Sequence, residues 1–590
     1  SQELYDALHS LPNKKTSVGL DGISNDILKH LPEKWITFLL EVFNKCWSKG
    51  TMPNIWKKSI VIPVHKQGKP KQDKNSYRPI ALTSHVSKLL EKIVLFRLTY
   101  HCEKNNVIPP CQAGFRKGRS TLDHLVKLTT QIKKQFARKN SILATFFYVK
   151  KAYNQVWHSK LLQKLQSIGV TGHIFNYIKC FLDSRSIQAK IGSCYSDSRI
   201  LDMGIPQGSV IAPLLFNLLI YDLPKCLSKN VVLVQYADDI CIWMNVKLKK
   251  KTPVRYIKYI QKLYQQELSN LNNYILENGL MLSSEKTHVV IFNHGTNPST
   301  LPVFKIGENV LQYKQSVKFL GVTLTSKLNW KPHIESIITK ATKSLNFLKI
   351  ISRQPWGMDT NALIHLSTAL IRSKLVYAQE VFFNAPKSLL NKLQSIDSKG
   401  YKLALGVPIY TSTIKTYTEL GILPLDEFRH LSSCKYILRS NAASDFCDDE
   451  LALNSNISFP KRSQSMQCCQ TIGAYTADLL KNLDLDSINV NKQLYFPPIP
   501  SWELNKAHFD IDHTPLIKSD NPNILNTLVH SYIEEKYSNY LQIFTDGSVL
   551  DNHAGAGYVI PSLDIRISYV LCIYMFYLLC CVYLRSEERR

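Results

Sequence analysis

Two adjacent carboxylates stand between two apolar runs. Asp238-Asp239 follows Tyr236-Ala237, with Val231–Val234 before them and Ile240–Met244 after. Acids held beside buried strands are costly unless a cation answers them, and magnesium prefers such hard oxygen ligands together with substrate phosphates. An isolated Asp-Asp is commonly an ordinary turn; the flanking β-type runs make this one a hairpin with acids at its tip. The chain also carries cations interleaved with aromatics. One run is Lys57, Lys58, His65, Lys66, Lys69, Lys71, Lys74, Tyr77 and Arg78; others are Arg116, Lys117 and Arg119, then Lys247 and Lys249–Lys251. That mixture suits a phosphate backbone.

The elements that must position these groups can be read from spacing. Ile142–Val149 is a β-type run, and Ser84–Tyr100 has helical spacing at Val86, Leu89, Leu90, Ile93 and Val94. Leu161, Leu162, Leu165 and Ile168 predict a helix stopped at Gly169. Gln261–Leu282 and most of Asn329–Leu423 are helical in pattern, residues 440–535 are polar, and Gln542–Ile560 returns to strand chemistry.

Composition bounds the rest. In 590 residues, 73 Lys+Arg face 45 Asp+Glu, a net charge of +28, with 45% hydrophobic and 20% charged residues. The apolar content excludes disorder as the dominant state, and the length suits roughly three to five domains or subdomains. The 14 cysteines include no Cys-x-x-Cys pair with a matching partner pair, so zinc ribbons find no support and reduced, intracellular thiols are expected. The cation excess favours a polyanionic partner over a merely solubilising surface. No basic-then-apolar leader opens the chain, and nucleus and/or cytoplasm is the expected location. Ile567–Leu584 is nearly unbroken apolar sequence at the lower limit for a membrane span. Its tyrosines and cysteines make it read as a tail unrelated to the fold, with a membrane reading left open.

With Tyr-Ala before the paired acids, the chain resembles the reverse transcriptases of non-LTR retrotransposons, nearest the jockey-like group. The resemblance covers residues 15–430 in the expected order. Gly19-Leu20-Asp21-Gly22-Ile23 is similar to the opening motif, and Tyr77–Leu82 and Gly114–Thr121 to the two fingers motifs. Gly204-Ile205-Pro206-Gln207-Gly208-Ser209, then Pro213–Asn217, resemble the loop and helix under the incoming nucleotide. Gly279-Leu280 with Lys286 resembles the next palm motif, and Phe319-Leu320-Gly321-Val322 the primer-grip hairpin.

The resemblance implies an α+β right-hand polymerase using Mg2+ (or Mn2+), an RNA template, a DNA primer and deoxynucleoside triphosphates. It implies Asp238 and Asp239 as catalytic metal ligands and Lys286 as a donor to leaving pyrophosphate. Arg78, Arg116, Lys117 and Arg119 would hold phosphate, Arg by its fork. Tyr153 would exclude a ribose 2′-hydroxyl, Gln207 contact the sugar, Gly208 admit the backbone close to the base pair, and Phe319, Leu320 and Gly321 grip the primer. Each has a structural alternative: a solvated loop cation, a core tyrosine, a simple turn. The chain departs from the family in Thr145–His158, where Tyr148 and Asn154 stand at positions the family fills with acids. A phenol is neutral at pH 7 and a poor magnesium ligand, so a polymerase fold with impaired chemistry is expected. The alternative is a non-catalytic protein that binds RNA or an RNA–DNA hybrid.

A second resemblance is to the first hairpin of a ribonuclease H domain, in Ile543–Ser548 and Ala554–Tyr558, with Asp546 as its first acid. Later acids are missing, so that nuclease reads as truncated. The expected division is an N-terminal extension at 1–50, fingers and palm at 51–325, a helical thumb at 326–435 and a linker at 436–537. A ribonuclease H-like fragment at 538–564 and the hydrophobic tail at 565–590 complete it.

Overall fold

The computed structural model describes residues 2–13, 16–66, 68–352, 358–442 and 470–483, and three strands between 544 and 572. Two compact units result: residues 13–497, and residues 1–12 with 498–590. Residues 13–50, in the expected 1–50 extension leading into the polymerase, belong with the larger unit.

In the larger unit β1 (Lys58–His65) and β2 (Tyr77–Leu82) precede helices α1 (His85–Lys104) and α2 (Thr121–Ala137). Then come β3 (Ser141–Tyr148), β4 (Arg185–Ile191), β5 (Cys194–Tyr195), β6 (Arg199–Leu201), α3 (Ala212–Leu219), and the hairpin β7 (Val232–Tyr236) and β8 (Asp239–Val246). Helix α4 (Val254–Glu277), β9 (His288–Phe292), β10 (Gln312–Tyr313) and the hairpin β11 (Ser316–Phe319) and β12 (Val322–Thr325) follow. The helices start where their caps fall. The Ser84 hydroxyl accepts the Ser87 N–H at 3.2 Å, and the Asp123 carboxylate accepts the Ser120 N–H at 2.6 Å.

A five-stranded sheet in the order β10-β9-β3-β8-β7 forms the centre, with β3 antiparallel to both β8 and β9. Strand alternation sends Ile142, Ala144 and Phe146 into one core with Leu125, Leu128 and Ile132 of α2. The other face meets α4, whose buried Tyr264 hydroxyl donates to Thr145 Oγ1 at 2.9 Å. Both faces of β3 are therefore covered up to Phe147, and Tyr148 is the first residue to emerge, 36% exposed. A second sheet pairs β1 antiparallel with β2 and parallel with β4.

Helices α5 (Lys331–Ser352), α6 (Lys387–Ala404) and α7 (Leu425–Ala442) continue the same core through Ile334, Leu345, Leu393 and Ile437. Helix α8 (Ile472–Asn482) joins them, its Tyr475 stacked on Phe383 at 4.4 Å. Of the linker expected at 436–537, residues 443–469 and 484–537 lie outside the described residues. Residues 436–442 finish α7, and α8 buries Ile472 and Leu480, an apolar spacing that polar neighbours obscured in the sequence.

In the smaller unit, β13 (Phe544–Leu550), β14 (His553–Ile560) and β15 (Ile565–Cys572) make an antiparallel sheet in that order. Asp546 lies opposite Gly557, and Ile567 opposite Tyr558. The first residues of the apolar run are thus strand, not the start of a helical span; residues 573–584 lie outside the described residues. Among the described residues no helix is long and apolar enough to cross a membrane.

Candidate active site

The turn between β7 and β8 is Ala237-Asp238, closed by the pairing of Tyr236 with Asp239. Ala237 adopts φ +55°, a left-handed conformation costing a non-glycine residue roughly 1–2 kcal/mol. Its partners hold it there. Gln112 Oε1 accepts the N–H of Ala237 at 3.0 Å and that of Gly114 at 2.8 Å. The segment 111–113 runs beside β7, with Ala113 N–H donating to Gln235 O at 3.0 Å. Gly114 is required here, since a Cβ would sit 2.4 Å from Ala237 N. From α2, the buried His124 ring donates to Gln235 O at 2.8 Å, and burial pushes its pKa down to about 4.

At the tip, burial raises Asp238, opposed by Arg78. Burial, then the Asp238 charge, push Asp239 up to about 6. Across the sheet Tyr148 pairs with Asp239. Lys286 lies over Tyr148, its Nζ 4.4 Å from the ring centre, a cation–π arrangement. The loop carrying Lys286 is tied to the strand: Ser283 N–H donates to Tyr148 O at 2.9 Å and Lys150 N–H to Met281 O at 2.8 Å.

The Gly204–Ser209 loop closes another side. Gly204 N–H donates to Val156 O and Ile205 N–H to Tyr153 O, both at 2.8 Å. Gln207 Nε2 donates to Asn154 Oδ1 at 3.0 Å, so two neutral amides pair there. Gly208 has φ +134°, and a Cβ there would meet Ala81 O at 2.3 Å. Tyr153 stacks on Phe216 of α3 at 5.3 Å, and burial with the Asp238 charge raises its phenol.

The cations divide. Arg78, exposed on β2 opposite Val64, acts on Asp238, and Lys66 is crowded by Lys286, Arg78 and Lys69. Arg116, expected to bind nucleotide, is paired with Glu103, Nε donating to Oε1 at 2.9 Å and Nη2 to Oε2 at 2.6 Å. Arg119 lies by Asp123 and His124, and Lys117 is exposed. Phe319 is buried against Phe146 at 5.2 Å. Leu320 (φ +43°) and Gly321 (φ +84°) form the β11–β12 turn. Asp546 belongs to the other unit.

Three residues escaped the sequence reading. Glu91, fully buried in α1, accepts from Ser209 Oγ at 2.6 Å and Val210 N–H at 2.8 Å, anchoring the Gln207–Gly208 loop. Its signal is an acid set between Leu90 and Val94 on the apolar face. Gln112 offered none. Tyr377 donates to Leu320 O at 2.7 Å and meets Thr121 Oγ1 at 3.1 Å, joining the helical region to the β11–β12 turn.

As a home for divalent ions the donor set is short. Asp239 pairs across the sheet with Tyr148, a phenol capped by an ammonium, and among the described residues no three His, Cys, Asp or Glu side chains converge as a metal site. These residues do not fit a two-ion centre.

Residues 66–324 match the family model for reverse transcriptase (RNA-dependent DNA polymerase). The probable RNA-directed DNA polymerase from transposon BS of Drosophila melanogaster is 28% identical over 440 residues, 73% of this chain and 47% of that protein. The RNA-directed DNA polymerase from mobile element jockey of the same species is 26% identical over 452 residues, 75% of this chain and 47% of the relative. The probable RNA-directed DNA polymerase from transposon X-element, also from Drosophila melanogaster, is 26% identical over 425 residues, 70% and 45% of the two chains. The chain spans about half the length of the curated relatives it matches. With its paired acids and loop falling inside the matched stretch, the chain carries over residues 66–324 a reverse transcriptase domain of the non-LTR retrotransposon kind.

Proposed function

We propose that this chain is the polymerase part of a non-LTR retrotransposon protein, working on an RNA template, a DNA primer and deoxynucleoside triphosphates. Residues 51–325 are read as fingers and palm, and 326–435 as thumb. The observation that carries this reading is the Ala237-Asp238 turn, pinned by Gln112 and flanked by Tyr153 and the Gln207–Gly208 loop. In that arrangement Tyr153 and Gln207 face the nucleotide sugar and Arg78 its phosphates. Residues 544–560 are read as the opening of a ribonuclease H fold with Asp546 as its first acid.

Reverse transcriptases use divalent metals, generally magnesium. Tyr148 and Asn154 deny this copy the acids for them, so its own turnover is read as strongly impaired. Loss of one such electrostatic group lowers rate by on the order of 10²–10³. The Lys286–Tyr148 contact favours a second reading, a protein that binds RNA or an RNA–DNA hybrid without copying it. Primer extension on an RNA template with magnesium or manganese tests both. The unmodified chain is run beside Tyr148→Asp with Asn154→Asp. Extension by the double variant alone supports an impaired polymerase; extension by the unmodified chain overturns the impairment; extension by neither leaves the binding reading.

A further inference from the structure

We propose that the cleft beside Asp238 binds the triphosphate of a nucleoside triphosphate through fixed cations, with no divalent ion. The proposal rests on the polymerase reading above and names how its nucleotide site is charged. The strand pairing of Tyr148 with Asp239 puts a neutral phenol where the family places a carboxylate. Lys286 then adds an ammonium 4.4 Å above that phenol. The ammonium thus rests on a neutral aromatic platform with no acid at 148 to offset it, a change of local charge by one.

More cations reach the same place from the other sheet. Lys66 leaves the end of β1, where its N–H donates to Ser76 O at 2.7 Å, and Arg78 lies on the paired strand β2. The Lys66 ammonium is pushed below its ordinary range by burial and then by Lys286, Arg78 and Lys69, with Asp73 opposing. Lys66, Lys69, Arg78 and Lys286 therefore share one field. Arg78 also acts on Asp238 and offsets its charge. The four cations Lys66, Lys69, Arg78 and Lys286 outnumber the carboxylates of Asp238 and Asp239, so the net field opposes a divalent cation and favours a polyphosphate. Arg78 offers a planar fork for paired phosphate oxygens, and the lysines offer point charges. Tyr153 and the Gln207–Gly208 loop would receive the nucleoside end.

The test is calorimetric titration of the full chain with deoxythymidine triphosphate, once with magnesium and once with EDTA. Filter binding of an RNA–DNA hybrid is measured in parallel. The expected result is an affinity that changes by less than about threefold between the two conditions. In EDTA, Lys286→Gln and Arg78→Gln should each weaken binding by roughly tenfold. Tyr148→Asp should weaken binding in EDTA and make magnesium restore it. Nucleotide binding that is lost in EDTA overturns the proposal while leaving the polymerase reading intact if hybrid still binds. Absence of nucleotide binding in both conditions, with unaltered thermal unfolding, overturns it as well. Failure to bind hybrid counts separately against the polymerase reading.

Discussion

The Lys286 ammonium rests 4.4 Å over the Tyr148 ring, and Tyr148 in turn pairs across the sheet with Asp239. Cation, phenol and acid thus occupy neighbouring positions at the mouth of the central sheet. Residues 138 apart in the chain are held together by the bonds of Ser283 and Lys150 to the strand end and the facing loop. An acid restored at 148 would find Lys286 beside it.

Tyr148→Asp with Asn154→Asp should raise primer extension on an RNA template by on the order of 10²–10³. Asp238→Ala placed in that background should return it to the starting level. Equal extension before and after restoration would show that Tyr148 is not the defect.

Glu91→Ala should destabilise the chain by about 3 kcal/mol, because it strands the buried Ser209 hydroxyl and Val210 N–H. Glu91→Gln keeps one acceptor and should lose less. Urea unfolding with both variants measures the difference, and equal losses would argue against the charge-assisted bonds.

Gly208→Ala should be damaging for two reasons: φ +134° is a region L side chains rarely adopt, and the new Cβ would lie 2.3 Å from Ala81 O. A loss of at least about 2 kcal/mol is expected in the same assay. Gly68→Ala, at φ +79° with nothing within 4 Å, is the comparison that has strain without collision and should lose less.

Arg116→Gln should lower stability and leave nucleotide affinity unchanged, since the guanidinium is committed to Glu103. Melting and calorimetric titration separate the two effects. An affinity loss at unchanged melting temperature would return Arg116 to the nucleotide site.

Acidification should weaken the fold through His124. Its folded pKa, about 4, lies below the ordinary histidine value of 6.5, so the unfolded chain takes up the proton first. The stability it contributes is fully present above about pH 6.5, falls between there and 4, and is gone below. On the order of 3 kcal/mol is at stake for this buried ring. His333, also pushed down to about 4, acts in the same direction. Asp239, raised to about 6, acts oppositely, its contribution being lost as pH rises through that value. Stability of His124→Gln against the unmodified chain, measured from pH 7 to 4, should show a shallower acid slope.

Relations between near neighbours can be read from the residues alone. The acids of Asp238-Asp239 are adjacent and their flanking strands are contiguous runs, so the hairpin was legible. So were the helix opening at Ser84 and the stop at Gly169, because caps and left-handed glycines act within a few residues. The loss of an acid at Tyr148 was visible as well, since residue identity is local. Which side chains already hold partners depends on the packing of distant elements. Arg116 is expected from the sequence to hold phosphate, and only the fold shows its guanidinium paired with Glu103. Gln112 reaches Ala237 across 125 positions, and Glu91 reaches Ser209 across 118. Such pairs depend on how separate elements pack, which no local periodicity encodes. The same is true of Lys286: its charge stood in the sequence, but only the packing of its loop against the end of β3 set that charge over Tyr148.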